Sequence, residues 1–290
     1  MAGVPILMYH SVSGAAENGL HPYYQTVTTP RVFGEHMKYL SQAQYKAVTL
    51  ADAVRLSQSP GPSTGRVVVI TFDDGFRDFY TDAFPILNKY CFTATVFLPT
   101  AYIGETALKF KGSECLTWSQ MRGLQKMGVQ FGSHTVTHPQ LRSMKTEVVR
   151  REVRCSKATM EDKLGAPVKS FAYPFAFPET DRVFRQRLRA ILEDAGYHNG
   201  VSTVIGIADQ TDDRFFMKRL PVNSSDDLRF FRAKLGGAYD WLHTFQYVYK
   251  LTRDGTKWLF STTANKVSHR LDRCDMSIEL GGRGQEDDLR

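Results

Sequence analysis

Short apolar runs alternate with amphipathic stretches through most of the chain, a pattern that predicts a parallel sheet covered by helices. Residues 4–9 form an apolar run that reads as a buried strand. Thr29 as cap and Pro30 in the first turn then open a helix with Phe33, Met37 and Leu40 on one face. Residues 66–72 make the clearest strand, because three consecutive valines and an isoleucine suit a parallel strand buried on both faces. A helix over 82–90 and a strand over 94–98 follow. Thr117 and Gln120 form a T-x-x-Q capping box that starts a helix running toward Gly128. Beyond it the pattern predicts a strand at 129–133, a long charged amphipathic helix at 145–164, a strand at 170–173, a helix at 181–195 and a strand near 197–202. Ser225, Asp226 and Asp227 open a last helix. The alternation fades beyond about residue 250, where Gly281, Gly282, Gly284 and a mixed-charge end read as a loose tail. A catalytic domain over 1–250 and a C-terminal extension over 251–290 are therefore expected.

Composition changes this picture little. A chain of 290 residues, 42% hydrophobic and 23% charged, can form one large domain that encloses a site. The formal charge of +7 is spread along the sequence, which describes a solvated basic surface, and no nucleic-acid motif accompanies it. The four cysteines, Cys91, Cys115, Cys155 and Cys274, lack CxxC or metal-ligand spacing, so free thiols in a reducing compartment are expected. No segment approaches the ~20 apolar residues that span a bilayer, and residues 1–12 carry no charged leader. A soluble, cytoplasmic chain is the expectation; oligomeric state is not readable.

The chemistry is concentrated at two strand ends. Asp73, Asp74 and Gly75 directly follow the most apolar strand, and in parallel α/β architectures ligands are handled at the carboxyl ends of strands. Adjacent carboxylates there resist burial unless a cation or proton relieves them. Alone, Asp-Asp-Gly is equally an ordinary turn. His134 and His138 also follow a strand, and two imidazoles four residues apart converge on one ion if the segment makes a single helical turn. Two histidines and a carboxylate form a recurrent open site for a divalent first-row cation, zinc first, with cobalt, nickel or manganese also suited.

Residues 71–75 and 133–138 resemble the first two motifs of the polysaccharide deacetylases (carbohydrate esterase family 4, with NodB homology). The resemblance covers residues 4–249 and implies an α/β fold, a distorted (β/α) barrel. It implies Asp73 as catalytic base and Asp74, His134 and His138 as metal ligands. Residues 171–175 are similar to the segment that lines the family's groove, implying substrate contacts from Tyr173 and Pro174 and an oxyanion-binding N–H from Phe175. The commonest form of that segment has arginine, tyrosine and glycine where Ala172, Phe175 and Ala176 stand. The family's C-terminal Leu-x-His acid motif is not evident. Residues 6–12 instead resemble the opening strand of the subgroup related to poly-N-acetylglucosamine deacetylases, which implies a permuted barrel with His10 as general acid. Arg219 and Trp241 lie in strings similar to late segments of that subgroup and are candidate substrate contacts. His21, His36, His198, His243 and His269 fit none of the motifs and read as structural.

The implied activity is removal of N-acetyl, or alternatively O-acetyl, groups from a sugar or glycan. A metal amidohydrolase of the same fold acting on a small non-sugar amide or an acetylated biosynthetic intermediate is the alternative, and a non-catalytic glycan-binding module is a further one.

Overall fold

The computed structural model describes residues 3–14, 25–58 and 66–238. The expected extension over 251–290 lies outside them. In chain order the first half comprises β1 (Ile6–Tyr9), β2 (Ser11–Val12), β3 (Val27–Thr28), α1 (Pro30–Gln42), β4 (Lys46–Ala47), α2 (Leu50–Gln58), β5 (Val67–Phe72), α3 (Phe84–Lys89) and β6 (Thr95–Leu98). The second half comprises β7 (Lys109–Phe110), β8 (Ser113–Glu114), α4 (Trp118–Lys126), β9 (Gln130–Ser133), α5 (Thr146–Leu164), β10 (Ser170–Ala172), α6 (Arg182–Asp194), β11 (Asn199–Ile205), β12 (Met217–Pro221) and α7 (Leu228–Leu235).

Seven parallel strands close into a ring in the order β1, β5, β6, β9, β10, β11, β12 and back to β1. Closure depends on the N-terminal strand, since Leu7 of β1 stands opposite Ile70 of β5 on one side and Leu220 of β12 on the other. This is a (β/α) barrel, distorted by a register shift between β11 and β12. Strand alternation divides the apolar residues into two clusters. Ile6, Val69, Phe97, Ala172, Val201 and Met217 form the smaller one with Leu50 and Ala53 of α2, while Leu7, Ile70, Val96, Leu98 and Phe171 join the larger one with the surrounding helices. Space is tight: a Cβ at Gly132 of β9 would lie 2.4 Å from the Phe97 ring.

Helix boundaries follow local chemistry. Thr29 accepts a hydrogen bond from the Val32 N–H at the start of α1, and the Thr117–Gln120 capping box opens α4. Asp181 caps α6 and Asp227 caps α7, while α5 ends at Gly165 in the left-handed conformation with φ 64°. The helix expected over 82–90 is split, with one π-helical stretch at Phe79–Ala83 before α3. β4, α2 and β12 were not predicted: β4 has two residues, and β12 carries Lys218 and Arg219 amid its apolar positions. Cys91 and Cys115 are free thiols, but Cys155 is disulfide-bonded, against the expectation of free thiols throughout. Among the described residues no helix is long and apolar enough to cross a membrane.

Candidate active site

Because the barrel strands are parallel, their carboxyl ends share one rim, and the predicted residues gather there. Asp73 and Asp74 follow β5 in a sharp turn in which Asp74 (φ 71°) and Gly75 (φ 64°) are both left-handed. Gly75 is required twice over, since a Cβ there would also fall 2.8 Å from that of Leu98. Both aspartates are only 2% exposed, so each carboxylate must be answered by the protein.

Their partners differ. Asp73 receives a two-pronged ion pair from Arg219 of β12, with Nη1 to Oδ1 at 2.7 Å and Nη2 to Oδ2 at 2.8 Å. Arg219 is wholly buried and also donates from Nε to the Ser202 carbonyl and from Nη1 to Thr71 Oγ1. Burial alone would raise the Asp73 pKa, but the Arg219 guanidinium, by its charge and its hydrogen bonds, outweighs it and holds the carboxyl well below the usual range. Asp74 divides its oxygens. Oδ2 accepts a 2.8 Å bond from the Lys111 ammonium, whereas Oδ1 is buried without a hydrogen-bond partner and faces His138 Nε2 at 3.4 Å and His134 Nε2 at 3.9 Å.

The two histidines converge, but not through the helical turn expected from their spacing. Residues 134–138 form a loop in which Thr135 (φ 71°) and His138 (φ 57°) are left-handed. Glu152 of α5 holds this loop: its Oε2 accepts from the N–H groups of Val136 and Thr137 at 2.8 and 2.9 Å, and Oε1 from the Thr137 hydroxyl at 2.6 Å. Thr135 Oγ1 accepts from the His138 N–H at 3.0 Å. The Nδ1–H of His134 donates to the Ala172 carbonyl at 2.8 Å, which fixes the tautomer and leaves Nε2 as a lone-pair donor toward Asp74. Burial lowers the pKa of both imidazoles and keeps them neutral.

Asp74, His134 and His138 thus offer three ligand atoms all within 4.8 Å of one another. An unpartnered buried carboxylate oxygen opposite two neutral imidazole nitrogens is a donor set that fits a divalent first-row cation.

The other predicted residues that the structure describes differ in exposure. His10 follows β1, and its imidazole is within electrostatic reach of Asp73 and Asp74; burial lowers its pKa and the two carboxylates partly restore it. Phe175, left-handed at φ 62° and 45% exposed, sets its ring 4.6 Å from that of His138 and accepts at its carbonyl from Thr203 Oγ1. Tyr173 and Pro174 are buried, with Tyr173 edge-on to Phe177, so neither side chain presents an open sugar-binding face. Arg219, expected as a substrate contact, is corrected to a partner of Asp73, because its donors are committed inside the barrel. Trp241 lies outside the described residues. His36 is structural as expected, with Nε2–H donating to the Asp226 carbonyl and Nδ1 accepting from the Tyr9 hydroxyl. Sequence reasoning missed Lys111 and Glu152. A Lys-Gly pair between two strand-like dipeptides was the available signal for the first; the second had none.

The description "polysaccharide deacetylase" belongs to a family model that matches residues 61–200. YxkH of Bacillus subtilis, named for the same family, is 32% identical over 223 residues, covering 77% of this chain and 72% of its own. A poly-beta-1,6-N-acetyl-D-glucosamine N-deacetylase of Staphylococcus epidermidis is 27% identical over 164 residues, 53% of this chain and 56% of that one. Among solved structures, the Streptococcus pyogenes deacetylase PplD in complex with acetate has a TM-score of 0.69 at 25% identity, over 80% of this chain and 98% of that one. IcaB from Ammonifex degensii shares the fold, with a TM-score of 0.65 at 20% identity over 82% of this chain and 97% of its own.

Proposed function

We propose, from the premise that the chain belongs to the polysaccharide deacetylase family, that it is a metal-dependent hydrolase removing N-acetyl groups from an N-acetylated glycan. The observation that carries the reading is the buried, unpartnered Oδ1 of Asp74 facing two imidazole nitrogens, directly beside a second carboxylate held ionised by Arg219. A glycan substrate is favoured by the N-deacetylase named among the relatives.

Asp74, His134 and His138 would hold the cation, which when bound supplies Lewis acidity toward the acetyl carbonyl and lowers the pKa of water at the site. Asp73 takes the proton of the attacking water, since the two-pronged ion pair keeps its carboxylate in the proton-accepting form. Phe175, beside His138 at the end of β10, supplies the backbone N–H that stabilises the developing oxyanion. The proton that Asp73 takes from the water is passed through His10, within electrostatic reach of both carboxylates, to the amine as its bond to the acetyl carbon breaks, since the amine is a poor leaving group without that proton.

The test is acetate release by metal-loaded protein from N-acetylglucosamine oligomers, nucleotide-linked N-acetyl sugars and small amides, run beside Asp73→Asn. Acetate from a glycan that vanishes in the variant, with its metal content retained, is the expected outcome. Silence on every sugar with metal demonstrably bound, and turnover of a small amide instead, would overturn the glycan reading.

A further inference from the structure

Lys111 sits where a lysine is locally unfavourable. β7 and β8 form an antiparallel hairpin with Phe110 opposite Ser113, so Lys111 and Gly112 are its two-residue turn, with φ of 51° and 87°. Turns of this kind favour Asn, Asp or Gly at the first position, because a left-handed backbone crowds a Cβ. A long cationic side chain held in such a conformation points to a constraint imposed by what its end reaches.

The hairpin is tied to the aspartate turn. The Leu116 N–H donates to the Gly75 carbonyl at 2.9 Å and the Arg77 N–H to the Glu114 carbonyl at 2.8 Å, while Phe76 and Cys115 form a bridge. At its tip, the Phe110 ring lies 5.3 Å from that of His138, and the Lys111 ammonium sits 4.8 Å from the Phe110 centroid. From there Nζ reaches Oδ2 of Asp74 at 2.8 Å, and the lysine side chain stays about half exposed. The ammonium thus takes the oxygen that does not face the histidines and leaves the other, Oδ1, to them.

We propose that Lys111 is a positioning residue that limits Asp74 to one ligating oxygen. A carboxylate with both oxygens free can close on a cation with both; a hydrogen-bonded ammonium on the outer oxygen opposes that rotation and repels a cation drawn toward it. A site that must admit a water and an acetyl oxygen benefits, because an open position is what separates catalytic from closed structural sites. Lys111 trades affinity for accessibility. The inference rests on the metal-site reading above and adds to it a residue and a direction of effect.

The test uses the full chain stripped of metal and titrated with zinc against a chromophoric chelator, and with cobalt(II) followed by its visible absorption, for wild type, Lys111→Met, Lys111→Gln and Lys111→Arg. Circular dichroism and thermal unfolding of the metal-free proteins identify which variants are folded. Lys111→Met and Lys111→Gln remove a positive charge beside the cation and are expected to bind zinc roughly tenfold more tightly, to shift the cobalt spectrum toward higher coordination and to release acetate more slowly. Lys111→Arg is expected to keep wild-type affinity and spectrum. Damage to the site would weaken binding and slow turnover together, so tighter binding with slower turnover is not a structural effect. Unchanged or weaker zinc binding in a folded Met or Gln variant overturns the proposal. A wild-type chain that binds no metal would instead defeat the metal-site reading itself.

Discussion

Asp73 and Asp74 are chemically identical, adjacent and equally buried, yet their surroundings divide the work between them. Arg219 claims both oxygens of Asp73, whereas Asp74 keeps one oxygen facing two imidazoles. The planar guanidinium is the reason for the first arrangement, since a lysine ammonium cannot reproduce a two-pronged pair. Arg219→Lys is accordingly expected to raise the Asp73 pKa, shifting the acid limb of the kcat/KM profile to higher pH and lowering kcat/KM by about one to two orders of magnitude. An unmoved acid limb would mean that Arg219 serves only the fold. At this scale the sequence was legible where chemistry is local. Asp73 and Asp74 stand together, and His134 and His138 are four residues apart, so their spacing alone suggested a common ion. Arg219 is 146 positions from Asp73, and only the ring order of the strands brings them together, so its sequence context suggested a sugar contact instead.

The loop after β9 shows the same limit one level up. Its two left-handed residues, Thr135 and His138, are held by a carboxylate from a different element, the Glu152 side chain of α5. In the sequence Glu152 is one charge among many on an amphipathic helix, where a glutamate ordinarily faces water. Here it is 1% exposed, because the loop's N–H groups have no strand partner and need an acceptor. Each buried donor left without a partner costs about 1–3 kcal/mol, so Glu152→Ala is expected to lower the stability of the metal-free protein by at least about 2 kcal/mol in urea unfolding. Because the same loop carries both imidazoles, zinc binding should weaken roughly tenfold or more. Glu152→Gln keeps an acceptor in place and should fall between. Stability lost with zinc affinity unchanged would show that the loop's own backbone sets the histidines. The longer helices and the apolar strands β5 and β6 were readable from periodicity; β12 was not, because its inward-facing Arg219 breaks the apolar run that marks a buried strand.

Closing the ring through β1 also determines how the whole molecule answers to acid. His10 follows that strand, and His36 of α1 accepts from Tyr9 within it while stacking 4.0 Å from Phe231 of α7. With His134 and His138 they make four imidazoles whose pKa values burial lowers in the folded state. In the unfolded chain each titrates near the ordinary value of about 6.5. Below that value the unfolded state therefore binds more protons than the folded one, and stability falls as pH falls. Stability contributed by these groups is fully present above the unfolded pKa. Asp78 and Glu152, whose pKa values burial raises, act in the opposite sense, but their window opens lower, from the ordinary carboxyl range upward. The metal-free protein is accordingly expected to show a urea midpoint that drops between about pH 7 and pH 5. His36→Leu removes one of the four groups without touching the proposed metal ligands and should make that drop shallower, even though it also strands the Tyr9 hydroxyl and lowers the midpoint at every pH. A midpoint that stays level or rises on acidification would mean that the carboxylates of Asp73 and Asp74 hold neighbouring imidazoles protonated in the folded state. Zinc would then have to displace protons at neutral pH, and proton release on zinc binding, read by calorimetry in two buffers of different ionisation enthalpy, would be large at pH 7 instead of near zero.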